Sequence, residues 1–299
     1  MCGIVGLFLK NPALEPELGR HLETMLVGMS ERGPDSAGIA VYHRPVGAGQ
    51  TKLTCFHPDL HYHWRQVGGD MGEALGAEVD VETKGNHAVL TVAADDGAAR
   101  AWLARAHPEV RVMGYGRVME VYKDMGLPVE VAARYELGAM QGTHAIGHTR
   151  MATESAVTTE HSHPFTAAAD MCLVHNGSLS NHNNLRRWLR QRGQEFETDN
   201  DSEVAARYFA YRLAEGASLR EALEAGLKDL DGFYTFTMGT RDGFAVLRDE
   251  IACKPAIIAE TDDWVAMASE YRSLAALPGI KAAKLWEPAP ATVYAWGHA

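Results

Sequence analysis

Residues 1–10 of this chain read MCGIVGLFLK, so a cysteine and a glycine stand directly before a run of apolar, largely branched side chains. A short run of this kind is typical of a buried strand. Chain ends usually fray and lie exposed, whereas a strand that begins at Gly3 would hold Cys2 in place. An oxidisable thiol would then lie at the edge of the core, and this position needs an explanation.

Two interpretations of Cys2 are open. If the initiator Met1 is removed, Cys2 carries both a thiol and a free α-amine. The amine has a pKa of about 7.7–8.0 and the thiol one of about 8.5, so the amine can act as the base for the thiol, directly or through one water. A nucleophile paired with an N-terminal amine is a known scheme of covalent catalysis. The alternative is that Cys2 is a small buried hydrophobic residue.

Composition excludes several classes of protein. The 299 residues are 46% hydrophobic and 22% charged, as in an ordinary globular chain. The net charge of −11 disfavours nucleic acid as the main partner. No apolar run approaches the ~20 residues of a membrane helix, and no cationic, apolar leader precedes the start. The four cysteines form no CxxC pair, so the sequence predicts no metal or cofactor in this chain and a reducing, cytoplasmic location.

Apolar patterning predicts a β-rich body with one helix near its start and three helices gathered in the middle of its second half. Its predicted strands lie at residues 3–9, 39–42, 143–149, 171–177, 233–239, 244–249, 256–260, 264–269 and 292–296, and its helices at about 18–29, 181–192, 202–214 and 218–230. Blocks of strands with segregated helices favour an α+β fold.

The segment 46–140 has a different pattern. Its first part is irregular and punctuated by glycines. The predicted elements that follow are a strand at 87–93, a helix opened by Asp95 or Asp96, a strand at 110–118 and a helix from Pro128. Strands that alternate with helices predict a small α/β unit of its own.

Two motifs place hydrogen-bond donors directly at or after predicted strands. In VHNGSLSN (174–181), the amide of Asn176 and the backbone N–H of Gly177 could converge on one point, as an oxyanion hole requires. The alternative is an Asn-Gly hairpin turn. In GHTRMAT (147–153), Arg150 could bind a carboxylate with its two-pronged guanidinium. Its alternative is a surface salt bridge, which stabilises little.

A third motif, ETDNDSE (197–203), is an acidic loop that opens a predicted helix. Asp199 or Asp201 could cap the helix through its N-terminal amides or receive the ammonium group of a substrate. We expect capping by at least one of the two.

The fourteen histidines do not predict a metal site. His144 and His148 are four residues apart, but in a strand this spacing separates them by about 13 Å. His161 and His163, in HSHPF, are expected to support the loop that carries Arg150. A histidine-paired cysteine enzyme would need its nucleophile at the start of a helix, which MCGIVG does not offer.

Five motifs occur in a fixed order: MCGIVG, ERGPDSAGI, GHTRMAT, VHNGSLSN and DNDSE. Together with the strands near the end of the chain, they resemble the class II glutamine amidotransferase domain, a family of N-terminal-nucleophile hydrolases, over residues 1–299. The resemblance implies a four-layer αββα sandwich in which segment 46–140 is an inserted small α/β unit. It also implies hydrolysis of glutamine to glutamate and ammonia through a cysteinyl thioester.

The same resemblance implies a role for each residue that matches a motif. Cys2 is the nucleophile and its amine the base, Asn176 and Gly177 form the oxyanion hole, Arg150 binds the α-carboxylate of glutamine, and Asp201 binds its α-ammonium. Thr153 and the backbone near Val174 and His175 line the pocket, and Arg32 supports the nucleophile. Met151 and Glu154 depart from several relatives, at positions that shape and cover the pocket.

The resemblance covers a glutaminase-type domain only, so its ammonia needs an acceptor on another protein. We expect a hetero-oligomer with a synthase subunit, similar to glutamate synthase-like complexes including N-methylglutamate synthase, in which FMN and iron–sulfur clusters belong to the partner. Segment 46–140 is expected to help bind that partner through aromatic and histidine residues: Phe56, His57, Tyr62, His63 and Trp64.

Two alternatives to this function stay open. One is an assembly subunit that keeps the fold but has little glutaminase activity. The other is a stand-alone hydrolase of γ-glutamyl amides. Glutamine turnover with and without a synthase partner separates the three.

Overall fold

The structure, a computed structural model, describes residues 2–152 and 157–297. Within these residues the strands are β1 (Gly3–Leu9), β2 (Ser36–Tyr42), β3 (Thr51–Phe56), β4 (Val79–Lys84), β5 (His87–Val92), β6 (Arg111–Gly116), β7 (Met119–Met125), β8 (His144–Arg150), β9 (Phe165–Ala168), β10 (Met171–Leu179), β11 (Gly232–Thr240), β12 (Gly243–Arg248), β13 (Ile257–Glu260), β14 (Trp264–Ala268), β15 (Lys284–Trp286) and β16 (Val293–Gly297). The α-helices are α1 (Leu18–Val27), α2 (Trp64–Leu75), α3 (Asp96–Ala106), α4 (Pro128–Arg134), α5 (His182–Arg190), α6 (Asp201–Ala214) and α7 (Leu219–Asp229).

The largest sheet has β1 at its centre. Its seven strands lie in the order β15-β13-β14-β1-β8-β2-β7, and β1 is antiparallel to both β14 and β8. All seven residues of β1 are buried, which confirms the strand predicted at 3–9. Cys2 therefore directly precedes the middle strand of this sheet.

Alternation along β1 explains how the sheet is buried on both sides. The second sheet has the order β16-β12-β11-β10-β9. Because successive strand residues point to opposite faces, Ile4 and Phe8 share an apolar cluster with Val174 and Phe244 of the second sheet. Val5 belongs to a different cluster, which includes the apolar faces of α1 and α4. The helices α5, α6 and α7 contribute to a third cluster with β10, β11 and β12 of the second sheet.

A third sheet, in the order β4-β5-β3-β6, lies within segment 46–140. With α2 and α3 it has an apolar cluster of its own, and we call residues 51–116 the lobe. The predicted strand at 87–93, helix after Asp95 and strand at 110–118 are confirmed as β5, α3 and β6. However, β7 pairs with β2 in the seven-stranded sheet and α4 packs with α1. The separate sheet is therefore shorter than the predicted unit.

The irregular start predicted for segment 46–140 is wrong, because β3, α2 and β4 lie there. Three of the glycines that suggested loops, Gly68, Gly69 and Gly72, lie inside α2. A Cβ on Gly68 would lie 2.4 Å from Val81 Cγ2, so glycine lets the helix approach the strand closely. Close packing, rather than a turn, accounts for glycine at this position.

Bilayer-spanning helices need both length and apolarity. Among the helices of residues 2–152 and 157–297, none combines the two to the extent that a membrane crossing requires.

Candidate active site

The start of the chain is held by three hydrogen bonds. Ile4 N donates to Ser269 Oγ (3.0 Å), and Ser269 N donates to Ile4 O (2.9 Å). Arg32 Nε donates to Cys2 O (3.1 Å), which brings Arg32 to the residue that it is predicted to support. Cys2 itself is a half-buried free thiol. Its backbone is thus fixed while its side chain keeps some access to solvent.

Two glycines let the neighbouring segments approach this chain start. A Cβ on Gly3 would lie 2.8 Å from Thr149 Oγ1 and 2.9 Å from Met29 Cβ. A Cβ on Gly33, in the ERGPDSAG loop, would lie 2.3 Å from Thr149 C. These separations are too short for real Cβ atoms, so the loop can rest on the end of β8 only because residue 33 is glycine.

Arg150 lies beside the chain start, because its neighbour Thr149 pairs with Gly3 across the sheet. Arg150 is 5% exposed, so its interpretation as a surface salt bridge is wrong. Its Nη1 donates to His161 O (3.2 Å), and its carbonyl accepts a hydrogen bond from Asp35 N (3.0 Å). A buried guanidinium held in this way is suited to bind a carboxylate in one fixed orientation.

Asn176 and Gly177 lie within β10, in the second sheet, so the interpretation as a hairpin turn is wrong. His148 Nε2, on β8, donates to His175 O (3.1 Å) and so joins the two sheets directly before Asn176. Asn176 is 2% exposed, and its Nδ2 has no hydrogen-bond partner among the described residues. Gly177 has a φ of +156°, and a Cβ there would lie 2.0 Å from Phe233 O. Only glycine fits this position.

These contacts link the predicted catalytic residues through a short path. Gly3 pairs with Thr149, the residue before Thr149 is His148, and His148 bonds the residue before Asn176. Cys2, Arg150 and Asn176 therefore lie at the same end of the two facing sheets.

Asp201 is the first residue of α6, but it does not cap the helix. The N-cap is Asn200, whose Oδ1 accepts from Ser202 N (2.9 Å). The expectation of a cap at Asp199 or Asp201 is therefore wrong. Asp201 Oδ2 instead accepts from Leu179 N (2.9 Å), so its carboxylate bonds back to the end of β10. The side chain of Asp199 is exposed, and its carboxylate contacts His161.

Behind the site, two buried histidines contact Ser202 and a third stacks on one of them. Ser202 Oγ lies 2.9 Å from His163 Nε2 and 2.8 Å from His175 Nδ1, and the ring of His148 stacks on that of His163. Burial lowers the pKa of all three, to about 3 for His148, so their rings are neutral at pH 7. The single proton of the Ser202 hydroxyl can go to one of these rings or to Asp201 Oδ1, which lies 3.3 Å from Ser202 Oγ, and the hydroxyl oxygen can accept from a ring N–H. The cluster fixes β8, β10 and α6 against one another.

The structure describes some of the predicted pocket residues and not others. Thr153 and Glu154 lie outside the described residues. The side chain of Val174 is buried between the sheets, and the ring of His175 faces Ser202. Neither side chain is free to line a pocket, so any contact of these two residues with a substrate would come from their main chain.

Sequence reasoning did not assign Ser202 or Ser269, although each lies at the end of an element where a polar side chain can reach a neighbouring backbone. It also missed Asp35, whose Oδ2 accepts from Ala152 N (2.8 Å) just after Arg150. Over residues 2–152 and 157–297, no group of three or more His, Cys, Asp or Glu residues is arranged to hold a metal ion.

Known proteins resemble this chain in sequence and in fold. The family described as glutamine amidotransferase domain matches residues 148–276. The chain is 54% identical to the glutamine amidotransferase-like protein GlxB of Rhizobium meliloti (strain 1021), over 100% of this chain and 99% of that protein. It is 34% identical to a putative glutamine amidotransferase of Methanothermobacter thermautotrophicus, over 92% of this chain and 93% of that one.

Among solved structures, the chain resembles the glutamine phosphoribosylpyrophosphate amidotransferase of B. subtilis, with a TM-score of 0.63 and 20% sequence identity. The match covers 99% of this chain and 47% of that one. At this level of identity, the likeness concerns the fold.

Proposed function

This chain belongs to the class II glutamine amidotransferase family, and we propose that it hydrolyses the side-chain amide of glutamine to glutamate and ammonia through a thioester on Cys2. The observation that best supports this is the placement of Cys2, Arg150 and the unpartnered Asn176 Nδ2 at the same end of the two sheets. A guanidinium suits the α-carboxylate of glutamine, and a neutral N–H suits an oxyanion.

In the proposed reaction the α-amine of Cys2, freed by removal of Met1, takes the thiol proton as Sγ attacks the amide carbon. The carbonyl oxygen becomes an oxyanion that accepts from Asn176 Nδ2 and Gly177 N. The C–N bond breaks as the amine passes its proton to the leaving nitrogen, which departs as ammonia. Water, deprotonated by the same amine, then attacks the thioester, and glutamate leaves as the proton returns to the thiolate.

Arg150 and Asp201 are proposed to hold the two charged groups at the other end of glutamine. Asp201 has one carboxylate oxygen bonded to Leu179 N, and its side chain is partly exposed at the start of α6. It can therefore accept a hydrogen bond from an ammonium group without losing its contact with β10. Thr153 and the main chain of Val174 and His175 are proposed to complete the pocket.

We also propose that the body is a four-layer αββα sandwich. Its three apolar clusters support this arrangement: one includes α1 and α4 with the seven-stranded sheet, one combines residues of both sheets, and one includes α5 to α7 with the five-stranded sheet. Each cluster fits one interface between adjacent layers.

The ammonia is proposed to pass to a separate synthase subunit, similar to those of glutamate synthase-like or N-methylglutamate synthase complexes, in a cytoplasmic hetero-oligomer. FMN and iron–sulfur clusters would belong to that subunit. The lobe is proposed to contribute to the contact, but Phe56 and Trp64 are core side chains and cannot anchor it. Leu60, which is 63% exposed, and the stacked rings of His57 and Tyr62 are better anchors.

The test needs a chain produced without any residue before Cys2, verified by intact mass. We expect a diazoketone analogue of glutamine to label Cys2 stoichiometrically, and glutamate to be released from glutamine. Cys2→Ala should lose both while unfolding at the wild-type temperature. A chain with a free Cys2 amine that is neither labelled nor active would contradict the proposal.

The same experiment separates the alternatives. An assembly subunit would leave Cys2 unlabelled even in the presence of its partner. A stand-alone hydrolase would turn over γ-glutamyl amides faster than glutamine and would not be stimulated by a synthase subunit.

A further inference from the structure

Glu270, which has no part in the chemistry above, is bonded to the residue that holds the nucleophile. Arg32 is almost buried, with a side chain that is 9% exposed. Its Nε donates to Cys2 O (3.1 Å), and its Nη1 donates to Glu270 Oε1 (2.6 Å). A guanidinium is planar and rigid, so these two bonds fix its plane and its distance from the chain start.

Glu270 is itself fixed by its place after β14. The strand β14 pairs with β1, as in the pairing of Val5 with Ala268. The next residue, Ser269, exchanges two hydrogen bonds with Ile4, and Glu270 follows it directly. Two successive residues thus hold the chain start. Ser269 bonds Ile4 directly, and Glu270 bonds Arg32, which in turn bonds Cys2.

The second oxygen of Glu270 is also occupied. Arg272 Nε lies 2.8 Å from Glu270 Oε2, and Arg272 Nη1 lies 2.6 Å from Glu31 Oε2. Hydrogen bonding to Arg32 is the main cause that lowers the pKa of Glu270, so the carboxyl is ionised at neutral pH. The four side chains alternate in charge, and the series ends at the carbonyl of Cys2.

We propose that Glu270 is a positioning residue for the Cys2 nucleophile, which holds the Arg32 guanidinium against Cys2 O and offsets its charge. The inference rests on the proposed function of Cys2. Without Glu270, Arg32 would be free to leave the carbonyl, and the thiol and amine of Cys2 would lose their fixed orientation. With a neutral replacement that still accepts a hydrogen bond, Arg32 would stay but its charge would be uncompensated.

The variants Glu270→Ala and Glu270→Gln separate these two effects, and Glu31→Gln is the matched control. Glu31 belongs to the same charged series and is 83% exposed, but its carboxylate contacts Arg272 instead of Arg32. We expect Glu270→Ala to lower kcat for glutamine about 10-fold or more, because the nucleophile loses its fixed orientation. KM should stay within about twofold, because Arg150 and Asp201 are untouched. Glu270→Gln should retain more activity than Glu270→Ala, and Glu31→Gln should behave as wild type.

A double-mutant cycle with Arg32→Met identifies the route of the effect. If Glu270 acts through Arg32, adding Glu270→Ala to Arg32→Met should change kcat by less than about twofold. Multiplied losses in the double variant, a rise in KM equal to the loss in kcat, or wild-type turnover in Glu270→Ala would overturn the proposal.

A second readout needs no glutamine and so separates failure of this proposal from failure of the proposed function. Iodoacetamide reacts with thiolates, and the exposed Cys253 serves as an internal reference within the same chain. A positive charge near a thiol makes it more reactive, and Glu270→Gln leaves the guanidinium that bonds Cys2 O uncompensated. In Glu270→Gln we therefore expect the ratio of Cys2 to Cys253 alkylation to rise by about two- to fivefold at pH 7. An unchanged ratio would overturn the electrostatic half of the proposal, whether or not the wild type hydrolyses glutamine.

Discussion

At the residue scale, the site combines groups that already have protein partners with one that has none among the described residues. Arg150 bonds His161 O and Asp201 bonds Leu179 N, whereas Asn176 Nδ2 is buried without an acceptor. A buried donor without a partner costs about 1–3 kcal/mol of stability. That cost is recovered when an oxygen acceptor arrives, and most fully when the oxygen carries a negative charge. In the proposed mechanism, the folded protein thus holds Asn176 ready for the oxyanion.

Substitution of Asn176 tests this residue-scale interpretation. We expect Asn176→Ala to lower kcat by about 10²–10³, or about 2.7–4 kcal/mol, with little change in KM, because the donor acts on charge that develops in the transition state. The measurement is steady-state glutamine hydrolysis. Asn86→Ala, which removes another buried asparagine, should leave kcat unchanged. A loss below about tenfold at Asn176 would indicate that its amide serves only the packing of β10.

The charged anchors should affect binding instead. We expect Arg150→Ala and Asp201→Asn to raise KM more than they lower kcat, because each is proposed to hold the end of glutamine far from the amide that breaks. Asn at 201 keeps an oxygen that can accept from Leu179 N, so it tests the charge without removing that support. An unchanged KM in both variants would contradict these assignments. The readout is a full substrate-saturation curve for each variant.

At the element scale, the sequence predicts the helices and strands whose signals lie in neighbouring residues. It does not predict the elements that depend on packing against another element. β1 and α3 are predicted correctly because an apolar run and an Asp95 cap are features of neighbouring residues. α2 is missed because Gly68 serves contact with β4, which sequence spacing does not reveal. The cap of α6 is misplaced by one residue, since Asn, Asp and Ser all suit an N-cap and only the turn geometry selects Asn200.

The candidate site shows the same contrast between local signals and long-range packing. Each motif can be read from the sequence, but the meeting of Cys2 with Arg150 depends on the register of β1 against β8. The approach of Asn176 depends on a bond between two sheets, from His148 to His175. Pairings between residues so far apart in the chain have no local signal, and only the resemblance to a family predicted them.

His87, on β5 of the lobe, packs against β7 and the end of α4 in the body. Its burial makes the free energy of unfolding depend on pH. On β5 it contacts the rings of Tyr122 and Tyr135, which belong to β7 and the end of α4. Burial lowers its pKa to about 3, against an unfolded value of about 6.5. Between these values the unfolded chain binds a proton that the folded chain does not. Stability therefore falls as the pH falls through this window, and His87 contributes no pH dependence above it.

The test is urea unfolding from pH 7 to pH 4, for the wild type and for His87→Leu. Each unit of pH should remove up to about 1.4 kcal/mol through this histidine. The curve of His87→Leu should therefore be flatter by that amount, even if its stability at pH 7 is lower. Parallel curves for the two proteins would show that His87 is already protonated in the folded state.

At the scale of the whole molecule, two connecting segments that lie side by side join the lobe to the body. Val46 N donates to Arg117 O (3.0 Å), so the chain enters and leaves the lobe side by side. The lobe has its own apolar cluster, although Phe56 and Met113 also belong to the cluster between the two sheets of the body, and Val89 to the cluster of α1 and α4. Most of the packing of the lobe nevertheless lies within the lobe.

Replacement of residues 47–116 by a short Gly-Ser linker tests this separation. We expect the shortened chain to fold and to react with the glutamine analogue at Cys2, because the site contains no lobe residue. Binding to the proposed synthase partner should weaken, as measured by size-exclusion mass with and without that partner. A shortened chain that binds its partner as well as the full chain would remove the lobe from the proposed contact. One that does not fold would show that the body depends on the lobe, for example through the Lys52–Glu120 ion pair.

The bond between Ile4 and Ser269 also has a consequence for biosynthesis. The two residues are 265 positions apart, so the chain start cannot reach its final place until almost all of the chain has left the ribosome. At about 5–20 residues per second, that takes roughly 13–53 s. Throughout this time the first residues lack their native clamp, and an aminopeptidase can remove Met1 from an open chain. In the proposed mechanism, Met1 can thus be removed before Cys2 is immobilised, because the clamping serine lies 265 positions after Ile4.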